Sequence, residues 1–224
     1  MTVRAATMIA ATLAVLSGPA SADEGSAALI GDSRWAAPIL DVAAVNHDRG
    51  KEASDPITAP MELCAAPGCT VHRMVVLDTA ARQQLEAVFF APVENAWAER
   101  GQAARAVGLM ERLVADQLGT AGDLPANGHN QGPDDDPAIG QLDCVAEAAN
   151  TLSYLDRLAQ AGWLPRHRVG PPVIRFSFLL QHVAASLAET GEDETVWVVD
   201  SWPGANGAEP EVSRYDDWRG DWRV

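Results

Sequence analysis

Residues 141–162, QLDCVAEAANTLSYLDRLAQAG, decide how this chain is read. Val145, Ala148, Ala149, Leu152, Leu155 and Leu158 recur at helical spacing, which predicts a helix over 143–161 with one apolar face. Asp143 is placed to cap its start, Gly162 to end it, and Pro165 lies just beyond. Cys144 therefore falls in the first helical turn. Unpaired backbone N–H groups and the positive end of the helix dipole favour a thiolate there.

Downstream, Pro171-Pro172 precede strand-like runs at 173–180, 181–189 and 195–202, with a turn over 191–194. A turn centred on Glu192 sets His182 opposite Trp202 and Ala184 opposite Asp200. His182 and Asp200 then become diagonal neighbours on one face of the hairpin. A register slip of one residue would separate them. Cysteine, histidine and aspartate in this order suit a thiol nucleophile, an imidazole that takes and returns its proton, and a carboxylate that fixes the imidazole tautomer. Oxyanion donors are also needed. The Cys144 N–H and the Gln141 side chain are the nearest candidates, with Asn130 and Gln131 behind them. Trp202 is placed either to wall the cleft or to pack against the site.

Upstream, 80–97 reads as a helix interrupted by Pro92, with Asp78-Thr79 as its cap, and 98–118 reads as a second helix with one apolar stripe. Met74 to Leu77 reads as a short strand. Residues 119–140 form a long loop rich in Gly and Pro with the acidic run Asp134-Asp135-Asp136. Residues 23–75 read as an irregular lead-in with His47 on the surface, and 76–224 as one domain. Helices followed by strands indicate an α+β fold. The C-terminal tail is polar with spaced tryptophans, Trp218 and Trp222.

The first 22 residues read as an export signal: Arg4, an apolar run over 5–16, and small residues at Ala20 and Ala22. The reading implies a periplasmic or secreted protein with no stable membrane insertion after cleavage. In an oxidising compartment the three cysteines leave one thiol over. Cys64 and Cys69 enclose a turn-forming Ala-Ala-Pro-Gly and are expected to be bridged, which leaves Cys144 free. A formal net charge of −15 argues against nucleic acid and anionic membranes as partners. His129, Asp134, Asp135, Asp136 and His167 show no metal-ligand spacing, so no metal site or other cofactor is expected.

The segments Leu142-Asp143-Cys144, His182-Val183-Ala184 and Val198-Val199-Asp200 resemble the bacterial transglutaminase-like cysteine proteinases of the papain-like superfamily. The resemblance covers roughly residues 80–205. It implies a papain/transglutaminase-like fold, with N-terminal helices and a nucleophile helix packed on a small antiparallel sheet. It also implies a Cys144 nucleophile, a His182 base, an Asp200 orienter and a peptide or protein substrate. Family members that cleave adhesins carry acidic residues directly after the cysteine, tied to calcium. Here Val145 and Ala146 stand there and Glu147 follows, so the resemblance does not support a calcium site. A second reading is a non-catalytic exported binding protein that keeps this fold and uses Trp218 and Trp222 as contacts.

Overall fold

The computed structural model describes residues 36–126, 139–177, 180–191 and 194–221. The export signal, His129, Asn130, Gln131, the acidic run at 134–136 and Trp222 lie outside them. The elements in chain order begin with α1 (Ala36–Glu52), β1 (Met61–Cys64), β2 (His72–Val75), α2 (Thr79–Val88), α3 (Ala96–Leu118) and α4 (Cys144–Gln160). They continue with β3 (His167–Val169), β4 (Val173–Ser177), β5 (Leu180–Glu189), β6 (Val196–Asp200), β7 (Glu211–Arg214) and α5 (Tyr215–Gly220). Helices packed on small antiparallel sheets make this an α+β protein, as the sequence indicates. Among the described residues no helix is long and apolar enough to cross a membrane.

The predicted helix over 143–161 is α4, and it is the axis of the molecule. Every residue from Cys144 to Leu155 is buried, on all sides of the helix. One side packs on α1, another on the β1–β2 hairpin and α3, and a third on the sheet of β3 to β7. Asp143 caps it, its Oδ1 accepting from the Ala146 N–H at 3.0 Å. Asp78 caps α2 in the same way, through the Ala81 N–H at 2.7 Å. Pro92 falls in the break between α2 and α3.

The lead-in expected to be irregular contains α1 and the hairpin of β1 and β2. The buried face of α1 is Ile39, Val42, Asn46 and Gly50, with Ala36 at its start. That stripe has helical spacing but includes an asparagine and a glycine, so its hydrophobic signal is weak. Gly50 is small because α4 lies against it: a Cβ there would meet Arg157 and Gln160. The β2 strand sits two residues earlier than the run expected at 74–77. His47, expected on the surface, is half-exposed and pairs with Asp156 of α4 at 2.9 Å.

Cys64 and Cys69 form a disulfide, their Cα atoms 4.8 Å apart, and Cys144 is the free thiol. In the larger sheet the central strand β5 carries β6 on one edge and β4 followed by β3 on the other. Ala185 pairs with Val199 and Ser186 with Val198, the register that a turn centred on Glu192 requires. The polar tail contributes β7, paired along β6, and the short α5.

Candidate active site

Alternation along β5 sorts its side chains between two faces. Val183, Ala185 and Leu187 join the main core with α4, while Ala184 packs with Val173, Val198 and Trp218 on the other face. His182 shares the second face. Its ring lies 4.9 Å from the Trp202 ring and 5.5 Å from the Trp218 ring, between the two indoles. Trp202 thus packs on the imidazole.

The ladder between β5 and β6 ends at Ala185–Val199, and His182 and Asp200 lie just past that end. His182 Nε2 is 2.6 Å from Asp200 Oδ2, as the diagonal register predicted. The same oxygen accepts from the indole N–H of Trp218 at 2.9 Å. The alternative reading as a binding protein would put Trp218 on a contact surface. It is instead 5 % exposed, and its role is to hold the Asp200 carboxylate. Arg175, the pairing partner of His182 on β4, lies over the Trp218 ring and donates to the carbonyls of Trp218 and Asp221. A cleft of about 620 Å³, bordered by Arg175, Asp200, Glu211, Asp217 and Trp218, reaches the site at its carboxylate end.

A carboxylate only accepts, so the Asp200 bond places the imidazole proton on Nε2 in neutral His182. That leaves the Nδ1 lone pair, which is buried with no hydrogen-bond partner. The Cys144 sulfur comes from the α4 side of the sheet. It lies near the Val183 N–H, the peptide that immediately follows His182, and the Asp200 carboxylate is close enough to act on its charge. The sulfur stands on the α4 side of β5 and His182 shares the face of Ala184, and no hydrogen bond joins the two.

Burial pushes the Cys144 thiol up to about 12, with smaller contributions from Asp143 and Asp200; the Val183 and Cys144 N–H groups oppose it. The Asp143 carboxylate is turned to the helix end, where it caps Ala146. At 5 % exposure the resting sulfur is a neutral thiol. Any thiolate must form by handing its proton to a nearby base.

Gln141 is turned to the turn beside it. Its Nε2 donates to the carbonyls of Gly122 and Gly140 at 2.9 and 3.3 Å, and its Oε1 accepts from the Leu124 N–H. His167, considered in the sequence as a metal ligand, is buried against Glu99 at 2.8 Å and Arg100 at 3.2 Å. Among the described residues, the group with ligand atoms close enough for a metal is Cys64, Cys69 and His72, within 4.8 Å, and two of these are tied in the disulfide.

Four residues of the site neighbourhood carried no local signal: Trp218, Glu147, Ser201 and Asp123. Each reaches the site through a long-range contact. Only the adjacency of Ser201 to Asp200 and the one-turn spacing of Glu147 from Cys144 could have flagged any of them.

No family model matches this chain, and no curated protein or solved structure matches it. Residues and geometry therefore carry the functional reading.

Proposed function

We propose that this protein is an exported thiol-dependent hydrolase or acyltransferase acting on peptide or amide bonds, of the transglutaminase-like cysteine proteinase kind. One observation carries the reading. Asp200 fixes the proton of His182 on Nε2, and this leaves a buried, bare Nδ1 on the residue next to Val183, whose peptide N–H lies near the Cys144 sulfur. An unsatisfied buried acceptor costs about 1–3 kcal/mol, so a structural histidine would be expected to find a partner.

In the proposed reaction the Cys144 S–H proton passes to His182 Nδ1 as sulfur bonds to the substrate carbonyl carbon. The Cys144 N–H, at the helix start, faces the developing oxyanion. The C–N bond breaks, the imidazolium returns its proton to the leaving amine, and a thioester remains on Cys144. Water gives hydrolysis and a second amine gives transfer, each losing its proton to His182 and restoring the thiol. Asp200 stabilises the imidazolium in both halves. The disulfide is compatible with the exported setting that the first 22 residues suggest.

The test is the pH dependence of Cys144 alkylation by iodoacetamide. A thiol titrating alone near 12 reacts about tenfold faster per pH unit across the neutral range. Imidazole assistance predicts labelling at neutral pH that is faster than this and depends on His182. His182→Gln is expected to slow it by roughly a hundredfold at pH 7. A log-linear rise with the same rate in His182→Gln would refute a thiol site and favour a non-catalytic binding protein.

A further inference from the structure

One turn along α4 from Cys144, Glu147 is buried in the protein interior. Ser201, the residue after Asp200, donates its hydroxyl to Glu147 Oε2 at 2.9 Å and lies 2.8 Å from Thr151 Oγ1. The helix that carries the thiol is thus tied to the strand end that carries the orienting carboxylate. The Asp123 carboxyl lies within side-chain hydrogen-bonding reach of Glu147. Asp123 Oδ1 in turn accepts from the Leu142 N–H at 2.8 Å, two residues ahead of Cys144. From α3, Glu111 accepts from the Gly207 N–H at 2.7 Å, while its other oxygen is buried with no partner.

Three carboxyl groups from three segments meet here. The cation that acts on them is Arg112, on Glu111, and its guanidinium is bonded to the Gly207 carbonyl. Tyr154 also faces the cluster, and burial together with Glu111 and Glu147 keeps its proton on. Burial first, and then Glu111 and Asp123, push Glu147 well above the usual carboxyl range. Burial pushes Glu111 up to about 8 and raises Asp123 as well.

Resting on the thiol reading of the site, we propose that Glu147 is a positioning residue: set between Asp123 and Glu111, it locks Ser201, and with it Asp200, to the Cys144 helix, and the lock opens when the cluster ionises. A protonated Glu147 can donate to Asp123 while its Oε2 accepts from Ser201. When the proton leaves, the Asp123 contact becomes a repulsion between two buried charges. Raised carboxyl values in the folded state mean that the folded protein binds more protons than the unfolded chain. This contribution to stability is complete below the ordinary value of 4.5 and is lost as pH rises toward about 8.

Glu147→Gln tests the lock, because a glutamine amide offers the same acceptor to Ser201 and the same donor to Asp123 without titrating. Thermal unfolding from about pH 5 to about pH 9 should show the wild-type Tm falling, with the Glu147→Gln variant losing about 5 °C less over the same span. The rate of labelling by a peptide electrophile should decline on the alkaline side in the wild type, as Glu147 ionises, and hold in Glu147→Gln. Ser201→Ala, which keeps the cluster but cuts the tie, should slow labelling by roughly tenfold at every pH. Superimposable Tm profiles for wild type and Glu147→Gln overturn the proposal. So does a Tm rise with millimolar calcium in the wild type that Glu147→Gln lacks, which would make the cluster a cation site. If Cys144 proves unreactive in all variants, the enzyme reading falls, while the Tm comparison still decides whether the carboxyl lock exists.

Discussion

Asp200→Asn is expected to lower the rate of Cys144 labelling by a peptide electrophile by roughly a thousandfold, with the protein still folded. The reason lies in what Oδ2 does. It accepts from His182 Nε2 at 2.6 Å and from the Trp218 indole at 2.9 Å. If the asparagine presents its amide nitrogen to the imidazole, it donates to Nε2 and drives the imidazole proton to Nδ1. That removes the lone pair needed to receive the thiol proton. If it presents its oxygen, the tautomer survives, but the negative charge that stabilises the imidazolium is gone. Both orientations act at the proton transfer, and neither changes side-chain volume appreciably. The measurement is a second-order labelling rate alongside a thermal melt. Trp218→Phe serves as the graded control, since it removes one donor and keeps the ring beside His182; roughly a tenfold loss is expected. An unchanged rate in Asp200→Asn, with the melt also unchanged, would reduce the His182–Asp200 pair to a structural contact.

The parts of this site that were legible in the sequence are those governed by local rules. The helix from Asp143 onward follows from apolar spacing and a capping aspartate, and the structure places both as expected. The His182–Asp200 pairing follows from strand alternation and a turn position, and the observed register agrees. The Cys64–Cys69 bridge follows from five-residue separation across a turn. What escaped depends on contacts between distant segments. Helix α1 buries Asn46 and Gly50 where a core helix usually carries large apolar groups, so 23–75 looked irregular. Trp218 looked like a surface tryptophan in a polar tail, because the strand that brings it back over Asp200 is only four residues long. The carboxyl cluster combines Glu111, Asp123 and Glu147 from separate segments, each of which reads as a solvated charge on its own.

The second large effect expected is on stability. Asn150→Ala should destabilise the protein by about 3 kcal/mol, a fall in Tm of about 6–12 °C. Strand β1 pairs with β2 along one edge, and its other edge faces helices that have no backbone groups to offer. Two asparagines supply them. Asn150 of α4 accepts from the Cys64 N–H at 2.8 Å and donates to the Cys64 carbonyl at 3.0 Å. Asn46 of α1 does the same for Glu62, at 2.8 Å in both directions. The two side chains thus complete the strand edge at alternate residues, as a neighbouring strand would. Alanine at 150 leaves a buried N–H and a buried C=O at Cys64 with no partner, and water has no room to replace them where Cys64 is 0 % exposed. Asn150→Asp should be worse than alanine, since it keeps the acceptor but turns a donor into a buried negative charge. Because Asn150 lies on the helix that carries Cys144, the same variants should loosen the site. The alkylation rate and the melt would then fall together, whereas Asp200→Asn separates them. A melt for Asn150→Ala within about 2 °C of wild type would mean that the strand edge finds other partners and that the asparagine bridge is dispensable.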